Sequence, residues 1–214
     1  MRTDVHAHTA FSDGTELSAM IAAAEEAGLD GLGLTDHCIV TDDAFGRRAK
    51  YDLVESYERR REVIDAAREE TDLRLYDAAE VSFVASETEV IRDFLRTADF
   101  DYTVGSVHFA GEYDYTSDAP YADADEAARR SVVKRYYDAV VALVDAELFD
   151  VLGRSLGRPH PDPAMLGVFA AHDVGFVLGT DSHRPAELTE RVPELRAVVD
   201  DAAIELVEID SVLA

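Results

Sequence analysis

Cysteine is almost missing from this chain, and so is lysine. Cys38 is the sole cysteine, and Lys50 and Lys134 are the only lysines in 214 residues. A lone cysteine cannot form an internal disulfide, so a reducing, cytoplasmic compartment is the expectation. Long apolar runs are missing as well. None approaches the roughly 20 residues of a membrane-spanning helix, and the start Met1-Arg2-Thr3-Asp4 has no signal-peptide core, so no membrane partner is expected. No linker rich in Gly, Ser or Pro interrupts the chain and no segment repeats, which leaves a single domain over 1–214.

Positive charge is scarce too. Against 45 Asp+Glu stand 20 Lys+Arg, a formal net charge of −25. Such a surface repels the phosphate backbone, which argues against a nucleic-acid partner. The acids are spread along the chain and not gathered in one tail. That pattern fits adaptation to a salt-rich cytoplasm, where carboxylates stay hydrated and salt screens their repulsion.

What the chain does have is alternation. Apolar runs at 2–8, 31–37, 73–81, 102–108, 149–154, 175–183 and 204–209 read as strands. Helical patterns lie between them at 17–27, 52–70, 87–97, 123–147, 163–172 and 193–203, the first closed by Gly28. Strands separated by helices pair in parallel through crossovers, so the class is α/β. The stretch 109–121, with Gly111, Asp114, Ser117 and Asp118, is the expected lid or insertion.

The chemistry gathers where these runs end. They finish on His6 and His8, Asp36-His37, Glu80, His108, and Asp181 with His183. In a closed α/β barrel all strand C-termini open onto one face. Each piece alone has an ordinary explanation: His-x-His can be structural, Asp36-His37 a turn, Glu80 an ion-paired strand end, His108 a core residue. Core packing would put Val or Ile at strand ends, however, and five of the seven ends carrying His, Asp or Glu point to a divalent metal. His172 reads as a helix-end cap or surface residue, and Cys38, lacking a neighbouring base, as packing or a soft neighbour of the site. Of the free cations nearest the motifs (Arg47, Arg48 and Arg184), Arg184 stands closest, directly after His183.

His6-Ala7-His8-Thr9, Ser12-Asp13-Gly14, Thr35-Asp36-His37, Gly105-Ser106-Val107-His108 and Gly179-Thr180-Asp181-Ser182-His183, in that order, resemble the polymerase-and-histidinol-phosphatase (PHP) superfamily. The stretches 100–108 and 149–153 are similar to its histidinol-phosphatase branch, an activity of histidine biosynthesis. The resemblance implies a distorted TIM-like (β/α)7 barrel of parallel strands and two or three divalent ions (Zn, Mn or Fe). It also implies hydrolysis of a small phosphorylated substrate, above all histidinol phosphate. A phosphoesterase on another small ester or nucleotide, and a non-catalytic metal- or phosphate-binding domain, are the alternatives. Carried over by position, His6, His8, Glu80 and Asp181 would hold one metal, Glu80 and His108 a second, and Asp13, His37 and His183 a third. Glu80, Asp181 and His183 would be the catalytic residues.

The chain departs from the family at one strand end. After Asp150-Val151-Leu152-Gly153 the family supplies a histidine, and here stands Arg154, which cannot ligate a cation. The run from Arg154 to Gly179 is also short of one strand-and-helix unit. Arg154 could anchor phosphate alongside Arg184, His160 could replace the ligand, or the second site could be lost.

Overall fold

The computed structural model describes residues 2–40, 53–110, 113–116, 124–153, 174–202 and 205–213. Among them, five parallel strands form one sheet in the order β1 (Thr3–Ala7), β2 (Gly31–Cys38), β3 (Arg74–Ser82), β4 (Tyr102–Ser106) and β7 (Val151–Leu152). The connecting helices are α1 (Leu17–Glu26), α2 (Leu53–Arg68), α3 (Thr88–Ala98) and α4 (Glu126–Asp145). Beyond β4 a small antiparallel pair, β5 (Phe109–Ala110) and β6 (Tyr113–Asp114), occupies part of the expected lid, and Tyr115 N donates to His108 O at 2.9 Å. Gly111, Ser117 and Asp118 lie outside the described residues, as do Arg47, Arg48, Lys50, Arg154, His160, His172 and the predicted helix 163–172.

Register and burial explain the parallel arrangement. β2 pairs with β3 without interruption from Gly31↔Arg74 to Cys38↔Val81, and all of β2 except His37 is buried. In β2, Leu32, Leu34 and Cys38 fill one face with apolar bulk, while Gly31 and Gly33 admit the rings of Tyr76 and Tyr102 on the other. Outside the sheet, α1 turns Leu17, Met20, Ala23 and Ala24 inward, at helical spacing, against Leu188 and Val192. A second cluster joins Val81 and Phe83 to Leu53, Ile91, Val132, Tyr136 and Leu143. Cys38 belongs to it and is fully buried, the packing role expected of it.

The inner face is lined by Val5, Tyr76, Ala78, Tyr102, Val104 and Ile209, with Val151 and Val177 against them. The Tyr102 hydroxyl crosses this interior and donates to Val5 O at 2.6 Å, joining β4 to β1 across the two intervening strands. That reach requires a strongly curled sheet. It also requires Gly33, because a Cβ there would lie 1.8 Å from the tyrosine oxygen.

Three elements differ from expectation. The helix predicted over 193–203 is α5, Pro185–Ala202, which begins eight residues earlier and runs through Pro193. Pro185 takes the first-turn position that suits proline, and burial of Leu188, Val192 and Leu195 offsets the hydrogen bond missing at Pro193. The run 175–183 makes single parallel bridges, Ala7↔Ser182 and Phe176↔Leu206, with Val5 N donating to Leu178 O. Asp181, at φ 53°, ends its extended conformation. The run 204–209 contributes Leu206 to that bridge and then enters the single-turn α6 (Ile209–Val212). No helix among the described residues is long and apolar enough to cross a membrane.

Candidate metal centre

The carboxyl ends of the strands converge. His6 lies in β1 and His8 directly follows it, His37 is in β2, Glu80 in β3, and His108 follows β4. His6 Nε2 and His8 Nε2 are 3.1 Å apart, and Asp181 Oδ1 lies 3.0 Å from His8 Nε2 and 3.5 Å from His6 Nε2. Glu80 sits at the middle. Its Oε1 is 3.2 Å from His108 Nε2, while Oε2 is 2.8 Å from His37 Nδ1, 3.6 Å from His6 Nε2 and 3.8 Å from His8 Nε2. At the outer side Asp13 Oδ1 is 3.1 Å from His183 Nε2 and 3.7 Å from His37 Nε2, and His8 stacks on His183 with centroids 4.1 Å apart.

Three overlapping donor groups result: His6, His8 and Glu80; His37, Glu80 and His108; and His8, Asp13, His37 and His183. The sequence-derived partition differs from these in that His37 also reaches the second group, His8 reaches the third, and Asp181, expected in the first, lies beside His6 and His8 but outside the group they form with Glu80. Among the described residues, Glu80 Oε2 and His8 Nδ1 are buried with no hydrogen-bond partner. A buried carboxylate oxygen crowded by three imidazole nitrogens, none placed to hydrogen-bond it, is costly unless a cation satisfies it, so the donor set fits divalent metal ions.

Electrostatics divide the cluster. Burial would raise the Glu80 pKa, yet His108, His6 and His37 hold it well below the ordinary carboxylate range. Burial disfavours the His6 cation, but Glu80, Asp181 and Asp4 outweigh it and push its pKa up to about 9. His8 goes the other way, to about 4, through burial and the neighbouring His37 and His6. Burial also works against ionisation of Asp181, but the His8 contact and the His6 charge keep it an anion.

A layer of polar residues supports these donors, and of these only Asp36 stood among the ligand-type strand ends of the sequence. Asp36 points away from the cluster: it accepts from Thr9 N (2.6 Å), Thr9 Oγ1 (2.8 Å) and Ser12 Oγ (2.9 Å), fixing the loop that carries Asp13. It also accepts from Arg60 Nε at 2.6 Å. Arg60 is completely buried and further bound to Asp77, Leu34 O and Ala78 O. Ser106 Oγ donates to Glu80 Oε1 at 2.6 Å, and Ser82 Oγ lies 2.7 Å from His108 Nδ1. Asp4 accepts from Thr180 N and from His6 N, joining β1 to the segment bearing Asp181. One signal was present in the sequence, the hydroxyl residues flanking the ligand motifs; Arg60, the middle of the run Arg59-Arg60-Arg61, gave none. Arg184, by contrast, extends into solvent, its side chain 76% exposed and 3.7 Å from Glu187.

A curled parallel sheet with a His and carboxylate cluster at its carboxyl edge defines an α/β metal-binding protein. The chain belongs to the PHP domain family, whose model matches residues 4–206. It is similar to a protein of Deinococcus radiodurans named "Probable histidinol-phosphatase", at 29% identity over 186 residues, covering 82% of this chain and 69% of that one. In fold it is similar to the crystal structure of histidinol phosphate phosphatase from Lactococcus lactis, complexed with zinc, L-histidinol and phosphate. The TM-score is 0.70 at 18% identity, over 96% of this chain and 95% of that one.

Proposed function

We propose that this protein is a metal-dependent phosphatase that hydrolyses histidinol phosphate to histidinol and phosphate. The observation that carries the reading is the convergence of three overlapping donor groups, two of which share the buried carboxylate of Glu80. In full, the fold is a distorted (β/α)7 barrel, with the bridged segments around Ser182 and Leu206 continuing the sheet beyond β1. His6, His8, Glu80 and Asp181 would hold one ion, Glu80 and His108 a second, and Asp13, His37 and His183 a third, the ions being zinc, manganese or iron. Such ions acidify water and neutralise charge on phosphoryl oxygens.

The chain's own groups do the rest. Glu80, kept anionic by three imidazoles, joins two of the donor groups. Asp181 and His183 stand on the open side of the cluster and serve the proton transfers to and from the reacting oxygens. With a net charge of −25 the surface repels an anionic substrate, so Arg154 and Arg184 are assigned to phosphate, a geometry guanidinium matches. The direct test is phosphate release from a set of small phosphomonoesters with each metal supplied separately. Histidinol phosphate should be cleaved fastest. Preference for another monoester would change the substrate, and no release from any of them would overturn the activity.

Proton release offers an independent check. Without metal, His6 is protonated below about 9, so ion uptake must expel that proton. Apparent affinity should therefore climb with pH, by about tenfold per unit, until it levels near that value. Calorimetric titration between pH 6 and about 9 in buffers of different ionisation enthalpy measures both quantities.

The acidic surface is read as adaptation to a salt-rich cytoplasm. Between 1 M and 0.1 M salt the screening length grows from about 3 Å to about 10 Å, and repulsion between acidic patches spreads accordingly. Thermal unfolding should shift to lower temperature across that range. A midpoint that stays level or rises as salt is withdrawn would remove this reading.

A further inference from the structure

Resting on the reading of the cluster as a metal centre, we propose that Arg191 is a positioning residue that sets two metal-ligating side chains through a single backbone carbonyl. That carbonyl belongs to Asp181, which adopts a left-handed backbone at φ 53°. Its amide donates to His6 O at 2.8 Å and its carboxylate lies 3.0 Å from His8 Nε2. Arg191 Nη1 donates to Asp181 O at 2.7 Å and to Thr180 O at 3.0 Å. The same Asp181 oxygen lies 3.1 Å from His183 Nδ1.

This geometry gives the carbonyl two jobs. With the proton of His183 on Nδ1 and directed at Asp181 O, His183 Nε2 is left with its lone pair facing the group that includes Asp13, 3.1 Å away. Rotation of the Asp181 peptide would misdirect that imidazole and withdraw the Asp181 carboxylate from His8 in one movement. Aspartate tolerates the left-handed conformation better than most residues, and the contacts that fix it here come from outside the loop. Arg191 supplies them from α5, bridging two successive carbonyls. One turn earlier on the same helix, Glu187 Oε2 accepts from His183 N at 2.9 Å, so the pair grips the loop on both sides of Ser182. Arg191 contacts the loop through backbone atoms alone, which makes its influence on the donors indirect.

The test compares the full chain with Arg191→Met and Arg191→Lys, titrating zinc or manganese by competition with a chelator and melting the metal-free proteins. Outer partners of metal ligands ordinarily change affinity by about 10–100-fold. Arg191→Met should weaken ion binding within that range while the metal-free melting temperature stays close to the parent's. Arg191→Lys, which keeps a donor, should recover most of the affinity. Equal binding by parent and Arg191→Met would overturn the proposal. So would a loss of metal-free stability shared by both variants without recovery in the lysine form, because Arg191 would then be an ordinary brace between helix and loop. A parent that takes up no divalent ion would overturn the metal-centre reading itself, and this role with it.

Discussion

Replacing His8 with alanine should abolish metal uptake and phosphate release while the chain remains folded. His8 is fully buried, belongs to two of the three donor groups, and lies 3.0 Å from Asp181 and 3.1 Å from His6. Its low pKa leaves it neutral at physiological pH, so no buried charge is stranded by its loss. Its backbone stays pinned by the 2.9 Å bond from His8 N to Ser182 O. Outer partners of metal ligands are worth about 10–100-fold in affinity or activity, so removal of a direct donor should cost at least about a hundredfold. Metal content per chain, phosphate release and circular dichroism measure the three parts. Retention of full metal content and rate would show that His8 is not a ligand.

The largest effect on stability should come from Asp36→Ala. This change removes the carboxylate nearest Arg60 Nε, leaving a fully buried guanidinium paired with Asp77 alone. Breaking a buried pair from one side costs about 3–5 kcal/mol. At about 2–4 °C per kcal/mol for a domain of this size, the melting temperature should fall by roughly 6–20 °C. Thr9 and Ser12 would lose their shared acceptor at the same time, loosening the loop that presents Asp13. A double change of Asp36 and Arg60 to apolar residues should restore much of the stability without restoring the loop, since the unpaired guanidinium is then gone and Asp77 keeps Arg61 Nε at 2.9 Å. A melting temperature unmoved by Asp36→Ala would mean that solvent or another acid reaches Arg60.

Asp36 also marks where reading the chain in one dimension fell short. It stands beside His37 in β2 and is the same residue type as Asp13 and Asp181, so composition alone made it a candidate for the cluster. Successive strand residues face opposite sides. His37 turns to Glu80 and Asp36 turns to α2, where Arg60 waits.

The sequence by itself determined the α/β class, the strand centres, and the ligand-type residues at strand ends. These signals are local: apolar runs have the length of strands, helices lie between them, and polar residues interrupt each run where a core would demand Val or Ile. Tertiary structure alone decided which donors share a group, because His8, His37 and Glu80 each face more than one neighbour only once the sheet has curled. It likewise decided the start of α5, where burial of Leu188 and Val192 extended the helix ahead of Pro193, its expected first residue. The curl itself rests on Tyr102 reaching Val5 over Gly33, a contact among residues far apart in the chain that leaves no periodic trace. The Arg60, Asp4 and Arg191 contacts are of the same kind. Each joins a helix or strand to a segment distant in the chain, and a side chain's reach across space is not written in the spacing of its neighbours.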